Sequence, residues 1–134
     1  MFFLSWGLEK MITDHHLNKN QKFIEENQYW KNQIKRMLSK AQKSKNINQK
    51  QVITALRHAA RFAFLADERI LAVEIMKATF QFLNENSNQF FLALSDLHFY
   101  ETGEKIYFKR NNFNVKPPSS SKSLKELSQL ISDL

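Results

Sequence analysis

The sequence predicts a mainly α-helical fold, a small bundle of three or four helices built around a central αα-hairpin. Three observations lead to this prediction. The chain of 134 residues contains only two Gly and two Pro, so few positions interrupt regular secondary structure. Apolar residues make up 43% of the chain, which is enough to fill the core of one domain. Most of them recur at intervals of three and four residues, as on one face of a helix.

The first predicted helix covers residues 20–43. Its apolar side chains form a stripe on one side, and its basic side chains fall on the opposite face and on one flank. The stripe consists of Phe23, Trp30, Ile34, Met37, Leu38 and Ala41. The polar residues 44–46 interrupt the pattern, so we expect the helix to end there.

The next two helices are predicted to form the αα-hairpin. Asn48 is a favourable N-cap for the second helix, and Gln51 follows three residues later as in a capping box. This helix is rich in alanine, and small side chains allow a neighbouring helix to approach closely. Asp67 is the predicted N-cap of a third helix over residues 68–83, so that residues 65–67 join the two helices.

Residues 89–108 are predicted to contain a short apolar element followed by a β-hairpin. The run over residues 89–97 is too short for its period to distinguish a buried helix from a strand. Aromatic and β-branched residues then flank Thr102 and Gly103, a pattern that favours two strands joined at this dipeptide. We therefore expect a small hairpin over residues 98–108, packed on the helices.

The chain is predicted to form one core domain over residues 13–112, with further segments on both sides. Residues 1–12 form an apolar extension that is too short to span a bilayer. We expect this extension either to be poorly ordered or to pack on the domain as a hydrophobic clasp. Residues 113–123 contain two Pro and a run of Ser, which predicts a flexible linker. Residues 124–134 follow as a short amphipathic helix.

The predicted C-terminal helix needs a surface for its apolar stripe, since a helix of about eleven residues is marginal in isolation. Ser123 and Glu126 form a capping box at its start. The stripe either packs on its own domain or binds a partner protein or a second copy of the chain, and the flexible tether slightly favours the partner. The candidate partner-binding residues are Leu124, Leu127, Ile131 and Leu134.

Positive charge is concentrated in one quarter of the chain. The net charge is +7, and residues 19–50 alone hold nine Lys or Arg against two Glu. Clustered basic side chains on a helix face are suited to neutralising phosphates, so we expect nucleic acid, DNA or RNA, to bind here with little sequence specificity. An acidic protein, an anionic membrane surface or a merely solvated face are the alternatives. The candidate residues are Lys31, Lys35, Arg36, Lys40, Lys43, Lys45 and Lys50.

A second, smaller basic feature lies on the predicted second helix. Arg57 and Arg61 are one turn apart, and His58 lies between them in the sequence. Their positive charges would oppose protonation of His58. The two arginines are either a small anion-binding pair or ordinary surface residues of a half-buried helix, and both interpretations remain open at this point.

The sequence lacks the motifs of catalysis and metal binding. The absence of Cys excludes disulfides, thiolate nucleophiles and Cys-ligated metal centres. The four His residues have no metal-ligand spacing, and the acidic residues are scattered rather than paired. We therefore expect a non-enzymatic cytoplasmic protein without a cofactor or a metal. It would be an accessory protein that binds nucleic acid or, alternatively, a protein–protein adaptor, an inhibitor or a small subunit of a larger complex.

Overall fold

The chain folds into a bundle of helices, as predicted. The computed structural model describes residues 19–85, 87–108, 117–118 and 122–132, and these residues contain no strand. Five α-helices lie within the described ranges: α1 (Lys19–Ser44), α2 (Gln49–Leu65), α3 (Arg69–Thr79), α4 (Asn88–Thr102) and α5 (Leu124–Ser132). A short 3₁₀ helix, Phe80–Phe82, continues from α3. Of the helices in these ranges, none is both long enough and apolar enough to cross a membrane.

The alanine-rich helix α2 lies at the centre of the bundle and packs against both α1 and α3. Its buried face carries four alanines with almost no exposed surface, namely Ala55, Ala59, Ala60 and Ala63. Side chains this small allow the backbones of neighbouring helices to approach closely. Three residues of the apolar stripe of α1, namely Ile34, Leu38 and Ala41, are buried.

Aromatic side chains hold α1 and α4 against the C-terminal half of α2. Trp30 of α1 stacks on Phe62 of α2, with ring centroids 5.7 Å apart. On the other side, Phe64 of α2 contacts Phe99 and Tyr100 of α4, with centroid distances of 5.2 Å and 5.1 Å. Both neighbouring helices are therefore fixed at the same end of α2.

The turn between α2 and α3 is a Schellman motif centred on Asp67. This residue has a left-handed φ of 61°, and its N–H donates to the carbonyl oxygen of Phe64 at 3.1 Å. The N–H of Glu68 donates to the carbonyl oxygen of Ala63 at 2.8 Å. Glu68, not Asp67, precedes α3. The predicted N-cap role of Asp67 is therefore wrong, because this residue is used to end α2; aspartate is among the few residues other than glycine that visit this conformation.

The predicted β-hairpin is wrong, because residues 98–102 belong to α4. The hydroxyl oxygen of Ser87 caps this helix by accepting the N–H of Phe90 at 3.2 Å. Buried residues then recur at helical spacing as far as Tyr100. The aromatic side chains that suggested a strand therefore belong to a helix that packs against the core. Gly103 is not in a hairpin turn but ends α4 in a left-handed conformation, and its N–H donates to the carbonyl oxygen of Phe99 at 2.7 Å.

The segment 104–108 runs back along α4 instead of pairing as a strand. The N–H of Phe108 donates to the hydroxyl oxygen of Ser95 at 3.0 Å, and the ring of Phe108 lies edge-on to His98. The ammonium group of Lys105 lies 5.8 Å from the ring centroid of Phe99. The second half of the predicted hairpin therefore packs on side chains of α4.

Helix α5 packs on its own domain, chiefly against α1 and also against α3. Its apolar residues Leu124, Leu127 and Ile131 are 3% exposed or less. The predicted capping box is formed: the N–H of Glu126 donates to the Ser123 hydroxyl, and the N–H of Ser123 donates to the Glu126 carboxylate, both at 3.2 Å. Hydrogen bonding to the Glu126 carboxylate by Ser123, from its backbone N–H first and from its side chain second, lowers the pKa of Glu126, so this carboxylate is ionised at neutral pH.

The predicted N-terminal extension, residues 1–12, lies outside the described residues, as does most of the predicted linker over residues 113–123. The amide group of Gln81 donates to the carbonyl oxygen of Lys122 at 2.8 Å. This hydrogen bond attaches the chain immediately before α5 to the 3₁₀ helix that follows α3.

The docking of α5 can be tested with two leucines of the same helix. Replacing the fully buried Leu127 by Ala should lower the free energy of unfolding by about 2–5 kcal/mol, because it leaves a cavity in the core. Replacing Leu130, which is 39% exposed, should cost less than about 1 kcal/mol. Urea denaturation followed by circular dichroism measures both changes. Equal, small losses for the two variants would mean that α5 is not docked.

The end of α4 can be tested at Gly103. A Cβ at this position would meet the Arg69 guanidinium at 3.5 Å, an ordinary contact, so the cost of a side chain is conformational. G103A should therefore lower the free energy of unfolding by about 1 kcal/mol, and G103N by less, because Asn tolerates the left-handed region better. Thermal denaturation compares the two variants. A loss in G103N as large as that in G103A would contradict a left-handed helix end.

Candidate nucleic-acid interface

The outer side of α1 carries the main group of the predicted basic residues. Lys35, Arg36, Lys40 and Lys43 are exposed, and Lys31 is half-buried at the edge of the group. Arg36, Lys40 and Lys43 are four and three residues apart and therefore lie on successive turns of one side of the helix. Within the described part of the chain, none of these side chains forms an ion pair. Their charge is thus available to a ligand.

The start of α2 extends this basic surface. Lys45, in the connection that follows α1, and Lys50, in the first turn of α2, are both exposed. Lys40 and Lys50 lie together along a groove between α1 and α2 with a volume of about 320 Å³. The side chains of Gln51 and His58 also line this groove. The fold therefore brings basic residues of two helices to one place.

Lys35 lies on the other flank of α1, beside α5. It lines a shallow groove between the two helices, together with Ser128. Lys40 lines the groove on the α2 side, and at about 100° per residue Arg36 and Lys43 project between the two grooves. The basic residues therefore cover the outer side of α1 from one neighbouring helix to the other.

The residues predicted to bind a partner through the C-terminal helix lie in the core of the domain. Leu124, Leu127 and Ile131 are buried, and Leu134 lies outside the described residues. While α5 is docked, its three buried side chains are inaccessible to another protein. A partner that uses this stripe would first have to displace α5 from α1.

The structure adds residues of α4 to the Arg57–Arg61 pair. The guanidinium Nη2 of Arg57 lies 3.0 Å from the carboxylate Oδ2 of Asp96, and both side chains are about one-third exposed. Tyr100 lies in the same cleft. Burial, the largest cause, and Asp96 raise the pKa of its phenol, while Arg61 and Arg57 act in the opposite direction. The sequence gives no sign of Asp96 or Tyr100, because only the packing of α4 on α2 brings them near Arg57.

Chemically, both places are suited to binding anions. Basic side chains without internal partners attract phosphate and carboxylate groups, and a guanidinium can contact two oxygens at once. In the described residues, no three His, Asp or Glu side chains come together as metal ligands.

Comparison of the chain with protein-family models, with curated proteins and with solved structures finds no significant match. What the basic surface and the α2–α4 cleft can bind therefore follows from their own charges, exposure and geometry.

Proposed function

We propose that the protein is a non-enzymatic accessory protein that binds nucleic acid electrostatically, with little sequence specificity. The observation that supports this function best is the exposure of Lys35, Arg36, Lys40 and Lys43 on the outer side of α1, without ion pairs among the described residues. When such side chains neutralise phosphates, counterions are released from the nucleic acid, and this release favours binding.

The composition of the surface favours contacts with phosphates over contacts with bases. Six of the seven candidate residues are lysines, which act as flexible point charges. Reading base edges requires polar side chains on an element that enters a groove of the duplex. Here the basic groups are spread over one side of α1, the following connection and the first turn of α2. We therefore expect the affinity to depend on salt much more than on sequence.

The scaffold presents this surface without depending on it for stability. Helix α1 is held through its opposite side, where Ile34, Leu38 and Ala41 are buried, and it is flanked by α2 and α5. Substitutions of exposed residues away from such contacts usually change the free energy of unfolding by less than about 0.5 kcal/mol. Charge reversal on the outer side of α1 should therefore separate binding from folding.

The triple variant K35E/R36E/K40E tests the proposed surface. It lowers the net charge from +7 to +1 and replaces attraction to phosphates by repulsion at three neighbouring positions. We expect its affinity for a short DNA duplex at low salt to fall by about 100-fold or more, with an unchanged circular dichroism spectrum. Fluorescence anisotropy of a labelled duplex, repeated with single-stranded DNA and RNA, measures the change.

A pair of single variants controls for net charge alone. K43E places the reversed charge on the basic surface, whereas K105E places it at an exposed residue beside α4. K43E should weaken binding more than K105E. Equal effects of the two variants, or no detectable binding by the unmodified protein at low salt, would contradict the proposal. Tighter binding of poly-glutamate than of nucleic acid would favour an acidic protein as the partner instead.

A further inference from the structure

The cleft between α2 and α4 is a second charged feature, separate from the outer side of α1. It has a volume of about 280 Å³ and is lined by Arg57, His58 and Arg61 of α2 and by Asp96 and Tyr100 of α4. Pockets that bury a drug-sized ligand measure roughly 300–1,000 Å³, so this cleft lies at the small end of that range. The cleft therefore has room for a phosphate group with a small organic group attached, and not for a segment of folded protein.

The charges that line the cleft favour an anion. Two guanidinium groups face one carboxylate there. Asp96 is already paired with Arg57, whereas Arg61 is exposed and has no carboxylate partner in the described part of the chain. A cation would be repelled by both arginines, and an anion would be attracted by them.

Two of the hydrogen-bond donors of the cleft, Arg57 and Tyr100, are held in place by neighbouring groups. The ion pair with Asp96 fixes Arg57 against α4, and the buried Nε of Arg57 has no partner among the described groups. The ring of Tyr100 is held by Phe64 at a centroid distance of 5.1 Å. A tyrosine phenol is neutral at neutral pH, and burial raises the pKa of Tyr100 further, so its hydroxyl can donate a hydrogen bond. Guanidinium groups and a neutral phenol together match the oxygens of a phosphate.

We propose that the α2–α4 cleft binds a phosphate monoester through the guanidinium groups of Arg61 and Arg57, with the hydroxyl of Tyr100 as a further donor. A free phosphate compound and the terminal phosphate of a nucleic acid present the same chemistry. Thr54 and His58 line both this cleft and the groove that contains Lys40 and Lys50, so the basic surface leads directly to the cleft. The inference that the ligand is the terminal phosphate of a nucleic acid rests on the proposed function. The inference that the ligand is a free phosphate compound does not depend on that function.

Titration of the full-length chain with inorganic phosphate tests the site. Chloride keeps the ionic strength constant, and ¹H–¹⁵N spectra follow the backbone amides of residues 57–61 and 96–100. We expect saturable shifts at these amides, and an affinity about tenfold lower in R61Q, because a charge-assisted hydrogen bond is lost. Arg61 is exposed and outside the described ion pairs, so this substitution leaves no buried charge behind.

R36Q is the matched control, since it removes an exposed arginine of α1 that does not line the cleft. It should weaken the binding of duplex DNA and leave the phosphate titration unchanged, while R61Q affects the phosphate titration. The two proposals can therefore fail separately. Absence of saturable shifts at residues 57–61, or equal loss of phosphate affinity in R36Q and R61Q, would overturn the phosphate site.

Two further titrations distinguish the sources of the phosphate. If the terminal phosphate of a nucleic acid is the ligand, an oligonucleotide with a 5′-phosphate binds more tightly than the same oligonucleotide with a 5′-hydroxyl, and R61Q abolishes the difference. If a free compound is the ligand, a nucleoside monophosphate shifts the same amides while the two oligonucleotides bind equally. Both outcomes support the site, whereas an inorganic phosphate titration without saturable shifts at these amides excludes it.

Discussion

The close packing of the alanine face of α2 against its neighbours is the interaction on which the other features depend. Ala59, Ala60 and Ala63 are fully buried, and side chains of this size let neighbouring helices come close to α2. A larger residue at these positions would force the helices apart. Because α1 packs on α2 through its opposite side, Lys35, Arg36, Lys40 and Lys43 point outwards. The same central helix presents Arg57 and Arg61 to α4.

Helix α5 completes this arrangement from the other side of α1. Its buried stripe, with Leu127 fully enclosed, covers apolar surface that α1 would otherwise expose, and it leaves Lys35 at the edge of a groove. One side of α1 therefore packs in the core and stabilises the fold, and the other side carries exposed basic residues. The ion pair between Arg57 and Asp96 lies in the α2–α4 cleft. Arg61 also lines this cleft, so the cleft holds one more positive charge than negative charge.

Local sequence patterns predicted the helix with the longest apolar period and the helix start that carries a capping box. Helix α1 was predicted to within one residue at each end, and the capping box of Ser123 and Glu126 was predicted correctly. The end of α4 was not predicted, because Gly103 suits both a hairpin turn and the C-terminus of a helix. The packing of Tyr100 on Phe64 favours the helix, and this contact is not visible in the local sequence. The basic residues of α1 could be named from charge counts. Their distribution between two grooves could not, because it depends on which flank each neighbouring helix covers.

The dependence of binding on salt tests the electrostatic function of this surface with a single series of titrations. The unmodified protein is titrated with a DNA duplex at salt concentrations between about 50 and 200 mM. With four to seven phosphate contacts from the basic residues, the logarithm of the binding constant should fall linearly with the logarithm of the salt concentration, with a slope between about −4 and −6. A slope near zero, or no binding at the lowest salt concentration, would contradict a function based on the basic side of α1.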